Sequence, residues 1–362
     1  MRVLIAGGGT GGHLFPGIAL AEEFKRRNSE SACVFVGTKE GIESRVVARE
    51  GFQLRTIDIK GLKGKSSKEK VRNLFLLPKS VYQSICLIKE YNPELVIGMG
   101  GYTSAPVIFA ALLMGIKRAI CEQNTIPGIT NRILARFVDR IFIAFEGTMY
   151  LSSMKKAQFT GNPVRQRLID GSFHDKVDKG GFTLLILGGS QGAHSMNEKM
   201  LDALDCLMPV KESLRIIHQT GDLDYEEVSR AYREKGFNSE AIRFIEDMAA
   251  VYREADLVIC RAGATTLSEL TVSGKASVLI PYPFAANNHQ ETNARVLVNR
   301  GAAKMVLNGD LNGENLAEII TGLAADRVTV SAMGKEASKL GKPGASRDIV
   351  DSCYELVGMK YS

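Results

Sequence analysis

The chain has 362 residues, with 46 basic against 40 acidic side chains and 45% hydrophobic residues, a balance that excludes disordered and fibrous classes. Its 36 glycines follow no three-residue period, which excludes collagen and implies many tight turns or places where bare backbone meets a partner. At roughly 100–200 residues per domain, the length predicts two domains.

Cysteines 33, 86, 121, 206, 260 and 353 stand singly, without a C-x-x-C pair. This argues against a zinc ribbon or a disulfide framework and favours a reducing, cytoplasmic setting. The opening apolar run Val3-Leu4-Ile5-Ala6 is too short for a secretory signal. The longest nearly uncharged run, Ala105 to Ile116, contains Pro106 and Gly115 and falls short of the roughly 20 residues of a spanning helix. No membrane-integral segment is expected.

Short apolar strands alternate with helical patterns along the whole chain, the signature of α/β architecture with parallel sheets. Strands are predicted at residues 2–6, 32–36, 54–57, 95–98, 118–121 and 140–144, then at 183–187, 215–219, 242–245, 257–260, 277–280 and 303–306. The halves resemble each other: RVLIA followed by GGGTGGH (7–13), and TLLIL followed by GGSQGAH (188–194). Two similar doubly wound domains are therefore expected, joined at the turn-rich Gly161-Asn162-Pro163. Ligands of such sheets bind beyond the carboxyl ends of the strands, so the expectation is two sheets facing across a cleft that holds the substrates.

The first glycine loop fits G-x-G-x-x-G through Gly7, Gly9 and Gly12, and suggests a phosphate held by backbone N–H groups at a helix start. A dinucleotide would also need an acid at the end of the second strand, where the chain reads Val36-Gly37-Thr38-Lys39. His13 lies at the mouth of this loop, either as a general base or phosphate donor, or as a cap of its own turn. Gly98-Met99-Gly100-Gly101-Tyr102-Thr103-Ser104 forms a second anion-suited turn, and two such turns in one half suit a diphosphate better than a lone carboxylate. Cys121-Glu122-Gln123-Asn124 puts an acid and two amides at the same sheet edge. In the second half, Arg261 to Glu269 reads RAGATTLSE: Thr265 or Thr266 caps a phosphate-facing helix with Glu269 turned to a ribose diol, or Thr266 and Glu269 are only a T-x-x-E capping box. The amide-rich stretch from Pro281 to Asn293 suits sugar hydroxyls and an acetamido group, or is a polar loop.

Charge is concentrated between Lys60 and Lys79, where Lys60, Lys63, Lys65, Lys68, Lys70, Arg72 and Lys79 face only Glu69. That local excess equals the whole-chain balance of +6, so a general nucleic-acid footprint is not expected and a local anionic partner is. Leu74, Leu77, Val81 and Ile85 recur at helical spacing, whereas Phe75 and Leu76 fall off that stripe. The segment is either a solvated basic loop leading into a packed helix or a patch for an anionic membrane.

Together, GGGTGGH, GGY-x-S (100–104), CEQN (121–124), GNPVR (161–165), GGSQGA (188–193), FIEDM (244–248), RAGATTLSE and HQ-x-x-NA (289–294) resemble the bacterial undecaprenyl-diphospho-muramoylpentapeptide N-acetylglucosaminyltransferases of peptidoglycan synthesis. The resemblance covers most of the chain, in the family's order and spacing. It implies a GT-B fold, with residues 1–162 plus about 345–362 as the acceptor- and membrane-binding domain and 163–344 as the donor domain. The implied reaction transfers N-acetylglucosamine from UDP-N-acetylglucosamine to the undecaprenyl-linked muramoyl-pentapeptide (lipid I to lipid II), with inversion and a β-1,4 linkage. No cofactor or metal is implied, in keeping with the absence of a D-x-D motif.

By motif position, Thr10, Gly11, Gly12, Asn124, Arg165 and Ser190 would touch the donor. So would Ile245, Ala264, Thr265, Thr266, Leu267, Ser268, Glu269 and Gln290, with Ile245 meeting the uracil and Glu269 the ribose. Gly100, Gly101, Tyr102 and Ser104 would hold the acceptor diphosphate, and Arg165 would stabilise departing UDP. His13 or Glu122 would be the base, with His13 favoured. Lys65, Lys68, Lys70, Arg72, Leu74, Phe75, Leu76 and Lys79 would form the membrane patch of a peripheral protein on the cytoplasmic membrane face, with contacts to other cell-wall synthesis proteins. The competing functions are an NADPH-dependent oxidoreductase, a sugar-nucleotide epimerase and a non-catalytic sugar-nucleotide sensor; only the first leaves RAGATTLSE unused.

Overall fold

A computed structural model describes residues 1–61, 76–172, 181–188 and 193–359. The chain divides into two compact units, Met1–Arg165 with Pro343–Ser362 and Gln166–Lys342. The first crossover therefore lies three residues beyond the turn at 161–163.

Unit 1 runs β1 (Arg2–Ala6), α1 (Gly11–Arg27), β2 (Ala32–Gly37), α2 (Glu43–Arg49), β3 (Gln53–Thr56), α3 (Leu76–Tyr91), β4 (Leu95–Gly98), α4 (Ser104–Leu113), β5 (Lys117–Glu122), α5 (Ile129–Leu134), β6 (Arg140–Ile143) and β7 (Ala157–Phe159). Its strands pair in the order β3-β2-β1-β4-β5-β6-β7, all parallel. Alternate residues of β1 feed opposite cores, as a sheet covered on both faces requires. Val3 and Ile5 pack with Ile18 and Phe24 of α1, while Leu4 and Ala6 pack with Ile88, Val107 and Ile108.

Unit 2 begins with α6 (Gln166–Ser172) and continues β8 (Phe182–Leu187), α7 (His194–Leu207), β9 (Leu214–Gln219), α8 (Tyr225–Glu234), β10 (Asn238–Ile242), α9 (Met248–Glu254), β11 (Leu257–Cys260), α10 (Ala264–Val272), β12 (Ala276–Leu279), α11 (His289–Val298), β13 (Ala303–Met305), α12 (Gly313–Ala325) and α13 (Arg327–Leu340). The sheet order is β10-β9-β8-β11-β12-β13, again parallel. The last helix, α14 (Ala345–Val357), returns to unit 1. There it buries Ile349, Val350 and Cys353 beside Phe24, and Arg27 of α1 pairs with Asp351.

The strand expected at 242–245 is corrected. The pairing segment is β10, four residues earlier at its start, where Asn238 to Ile242 match Arg215 to Gln219. Ile242, Phe244 and Ile245 attract a strand assignment through their hydrophobicity, but an edge strand needs backbone pairing on one side only and tolerates the polar Asn-Ser-Glu.

A buried polar chain ties β9 to two helices of unit 2. Asn197 donates through Nδ2 to Thr220 O (2.9 Å) and Asp224 Oδ2 (2.6 Å), so its Oδ1 must accept from His218 Nε2 (3.0 Å). His218 Nδ1 then accepts from Tyr232 Oη at 2.8 Å. Full burial pushes the His218 pKa down to about 3 from 6.5. Between these values the unfolded chain binds a proton that the folded chain refuses. Stability is thus whole above pH 6.5 and falls as the pH drops toward 3, by up to about 1.4 kcal/mol per pH unit from this residue. Urea unfolding at pH 7.5, 6 and 5 is expected to show a shallower pH slope for His218→Gln than for the unaltered chain.

Candidate active site

In each sheet the chain leaves in opposite directions from two adjacent central strands, β1 and β4 in unit 1 and β8 and β11 in unit 2. The crevice beyond the carboxyl ends of such strands is where open α/β sheets take ligands. The glycine-rich motifs follow these strands.

In unit 1, β1 and β4 pair so that Ala6 lies opposite Gly98, bringing both glycine turns to one edge. Thr10 is the N-cap of α1 without a side-chain cap bond, and its Oγ1 lies 3.2 Å from His13 Nδ1. The half-buried imidazole packs on the second turn. A Cβ at Gly100 would stand 2.9 Å from His13 Cδ2, and Gly100 and Gly101 have φ of +96° and +76°. Both reasons restrict these positions to glycine. Ser104 is buried and structural in its bonds: its Oγ accepts from Gly100 N and donates to Ala6 O at 2.8 Å, clamping the turn to β1. Tyr102 lines the other side, its ring 3.4 Å from where a Gly9 Cβ would be.

A residue absent from the sequence reading organises this loop. Glu43 is fully buried and accepts from Gly9 N (3.0 Å), Thr38 N (2.8 Å) and Thr38 Oγ1 (2.9 Å). Gly8, Gly37 and Gly41 enclose the carboxylate so closely that a Cβ on any of them would come within 2.5 Å of its side-chain atoms. Glu43 opens α2, beyond the Val36-Gly37-Thr38-Lys39 exit of β2, and its carboxylate faces inward to the loop backbone. The glycines flanking it at 37 and 41 were the available signal.

Glu122 is also buried. Oε1 accepts from Asn124 N (2.9 Å) and Nδ2 (3.2 Å), and Oε2 from Gly128 N (3.2 Å) and Asn131 Nδ2 (2.9 Å). Burial raises its pKa, opposed by these hydrogen bonds. Asn131 and Gln123 lie at the same edge, donating to Cys121 O (2.9 Å) and Met99 O (3.0 Å). Their side-chain oxygens are buried without a partner among the described residues. Asn131 was missed because it comes from α5, a helix with no motif of its own. Arg165 is buried with its guanidinium 4.6 Å over the Phe15 ring.

In unit 2, α10 starts at Ala264 with Gly263 as N-cap and no side-chain cap. Neither Thr265 nor Thr266 is the cap, which corrects that expectation and removes the capping-box alternative. Ala264, Thr265, Thr266, Leu267 and Ser268 thus form the first turns of a helix without a side-chain cap, a setting suited to an anion. Glu269 is buried on the same helix and accepts from Tyr252 Oη at 3.3 Å. Ile245 donates its N–H to Gln219 Oε1 (2.9 Å), and Gln290 Oε1 accepts from Tyr282 N (2.9 Å). Ser190 lies outside the described residues, as do Lys65, Lys68, Lys70, Arg72, Leu74 and Phe75 of the basic patch. Of that patch, Leu76 opens α3, and Lys79 forms a 2.7 Å ion pair with Asp58. No helix among the described residues is long and apolar enough to cross a membrane.

Comparison with known proteins matches residues 3–143 to the glycosyltransferase family 28 N-terminal domain and 183–349 to its C-terminal domain. A UDP-N-acetylglucosamine–N-acetylmuramyl-(pentapeptide) pyrophosphoryl-undecaprenol N-acetylglucosamine transferase of Myxococcus xanthus is 49% identical over 357 residues, covering 99% of this chain and 93% of that protein. The chain belongs to this transferase family. Its members are hexosyltransferases built on the GT-B fold. The crystal structure of Acinetobacter baumannii MurG matches with a TM-score of 0.77 at 30% identity over 98% of this chain and 99% of that one. A UDP-GlcNAc 2-epimerase from Neisseria meningitidis, bound to UDP-GlcNAc, matches with a TM-score of 0.67 at 15% identity over 98% and 100% of the two chains. That likeness concerns the fold alone, and it does not favour an epimerase.

Glu43→Gln is expected to destabilise unit 1 by about 1–3 kcal/mol, because an amide NH2 must then face the Gly9 or Thr38 donors in a buried site. Chemical denaturation measures this, and an unchanged midpoint would show that the carboxylate does not hold the loop.

Proposed function

We propose that the chain transfers N-acetylglucosamine from UDP-N-acetylglucosamine to the undecaprenyl-diphospho-muramoyl-pentapeptide, forming a β-1,4 bond with inversion. Membership in the transferase family carries this reading. The pairing of anion-suited turns at the switch point of each sheet supports it, since the reaction needs two diphosphate grips. Unit 2 takes the donor: Glu269 accepts from the ribose diol, the start of α10 receives the diphosphate, and Gln290 bonds the sugar. Because the Ile245 N–H is committed to Gln219, the uracil N3–H meets the Ile245 carbonyl. Unit 1 takes the acceptor diphosphate on the turns of Gly7–His13 and Gly100–Tyr102.

The acceptor hydroxyl attacks the anomeric carbon from the face opposite UDP, the carbon–oxygen bond to the diphosphate breaks, and UDP leaves with the electron pair. Backbone amides at the helix start and the Arg165 guanidinium stabilise that charge where it develops. His13 removes the hydroxyl proton: with Nδ1 donating to Thr10 Oγ1, Nε2 is the basic nitrogen. Glu122, accepting from four donors, holds Asn124 and Asn131 in position.

Asn124, Thr10, Gly11 and Gly12 complete the donor contacts in this reading, and no metal or cofactor takes part. The basic and apolar segment from Lys65 to Lys79 docks the chain on anionic lipid at the cytoplasmic face.

The test is transfer of labelled N-acetylglucosamine to a lipid-linked muramoyl acceptor. His13→Ala is expected to lower kcat by about 10²-fold or more with UDP affinity unchanged. Glu269→Ala is expected to weaken UDP binding by about tenfold, measured by calorimetry. Transfer should persist in excess EDTA. Absence of transfer by the unaltered chain, or transfer without the lipid-linked acceptor, would overturn the assignment.

A further inference from the structure

The loop between β6 and β7 holds a backbone conformation that its residue type does not favour. Tyr150 has a φ of +63°, in the left-handed region where a bulky side chain is strained and glycine or asparagine is not. Packing of the ring does not offset that strain, since Tyr150 is 58% exposed. Its neighbours are the anchors. Thr148 and Leu151 are buried, Thr148 Oγ1 donates to Phe145 O at 2.7 Å, and the Met149 N–H donates to Thr125 O at 2.8 Å, which ties the loop to the segment after Glu122. The turn is pinned on both sides and presents one aromatic ring to solvent.

That ring meets Arg132, whose guanidinium carbon stands 4.3 Å from the ring centre. At this distance a cation–π contact holds the planar group against the aromatic face. Arg132 is exposed, and no carboxylate among the described residues pairs with it. Asn131, the residue before it, faces the other way: it is buried, donates to Glu122 Oε2, and has Nδ2 3.5 Å from where a Gly100 Cβ would stand, beside His13. One turn of α5 thus carries a site residue on its inner side and an oriented, unpaired cation on its outer side. Both lie at the carboxyl edge of unit 1, where β5 and β6 follow β4 outward from the switch point.

In the transfer reading the acceptor brings a diphosphate, a muramyl sugar and a peptide. The glycine turns take the first, and His13 meets a hydroxyl of the second. Only the peptide has negative charge still unmatched, because a peptide joined to the muramyl group by an amide at its amino end keeps its terminal carboxylate. Five extended residues reach up to about 17 Å, and two strand spacings, from β4 to β6, amount to about 10 Å. The peptide is therefore long enough to arrive at Arg132. A guanidinium held flat, with its N–H groups in a fixed fork, matches a carboxylate; a lipid surface needs only charge on a flexible stem and no strained turn to aim it.

We propose that Arg132, aimed by Tyr150, reads a carboxylate of the acceptor peptide and so sets a preference of unit 1 for an acceptor with an anionic peptide. This rests on the reading of unit 1 as the acceptor site. Tyr150 is a positioning residue that acts through Arg132.

The experiment measures transfer, at saturating UDP-N-acetylglucosamine and in neutral detergent, to two lipid-linked muramoyl-pentapeptides, one with its peptide carboxylates free and one with all of them amidated. The readout is the ratio of kcat/KM for the free to the amidated acceptor. The unaltered chain is expected to favour the free carboxylates by about fivefold, as a well-aimed exposed ion pair allows. Arg132→Gln is expected to bring the ratio to about one by raising KM for the free acceptor with kcat unchanged, and Arg132→Lys to keep only part of it. Tyr150→Asn suits the backbone but removes the ring, and should lower the ratio to about twofold; Tyr150→Phe should restore it. A ratio near one in the unaltered chain, an unchanged ratio in Arg132→Gln, or an equal loss on both acceptors would overturn the proposal. Both side chains are exposed, so the thermal transition is expected to hold. Should Arg132→Gln nevertheless fail to fold, Arg132→Lys and Tyr150→Asn decide, and unchanged ratios in both would overturn it. Loss of sedimentation with anionic vesicles in Arg132→Gln, at an unchanged acceptor ratio, would overturn it in favour of a lipid contact. Absence of transfer to either acceptor by the unaltered chain would remove the acceptor assignment itself, and this proposal with it.

Discussion

Backbone N–H groups grip an anion only where no side chain covers them and where the turn is held still, and this double requirement governs the carboxyl edge of unit 1. Glycines 9, 100 and 101 meet the first condition through their positive φ, and the latter two also give His13 room to lie against the turn. Glu43 meets the second. Its carboxylate takes the Gly9 amide and both Thr38 donors, and in return demands glycine at 8, 37 and 41. A charge buried this way is tolerable because three donors satisfy it. Its cost is that the Gly9 amide is committed inward, so in the proposed reaction the acceptor is left to the opening of α1 and the second turn.

Unit 2 has the same strand logic with the opposite electrostatics. Where unit 1 buries an anion behind its turn, unit 2 buries a cation, Arg261, among neutral acceptors. Further back in unit 2, Asp224 couples this edge to the interior. Its Oδ1 takes His194 Nδ1 at 2.8 Å while its Oδ2 takes Asn197, and the carboxylate raises the pKa of the exposed His194.

How much of this was legible in the sequence follows from the range of the forces involved. The strands at 2–6, 95–98 and 257–260 coincide with their predicted bounds because a strand buried on both faces is an almost unbroken apolar run, closed at 7 and 98 by glycine and at 261 by arginine. β10 was misplaced because an edge strand carries no such demand. The N-cap at 263 was misplaced by two or three residues, since threonine and glycine cap about equally well and only the fold shows which of them takes the position. Glu43, Asn131 and Arg261 share a different difficulty. Each acts partly through partners brought close by the fold, Glu43 with Gly9 34 residues away and Arg261 with Asn308 47 residues away, and apart from the glycines at 37 and 41 local spacing gives little sign of that. Likewise Lys79 was read as a patch cation, whereas Asp58, two residues past β3, pairs with it.

The distinction between His13 and Glu122 also rests on hydrogen bonds that no motif displays. A general base needs a lone pair that is open to the substrate and a proton affinity close to that of the medium. Burial raises the proton affinity of Glu122, but both oxygens already accept from Asn124, Gly128 and Asn131. To take a proton it would have to surrender one of these bonds and release the loop that carries Asn124. His13, the base of the proposed reaction, has Nδ1 3.2 Å from Thr10 Oγ1 and its half-buried ring against the glycine backbone of the second turn. In the proposed reaction the carboxylate is therefore more valuable as a fixed acceptor than as a base, which leaves the proton to the imidazole.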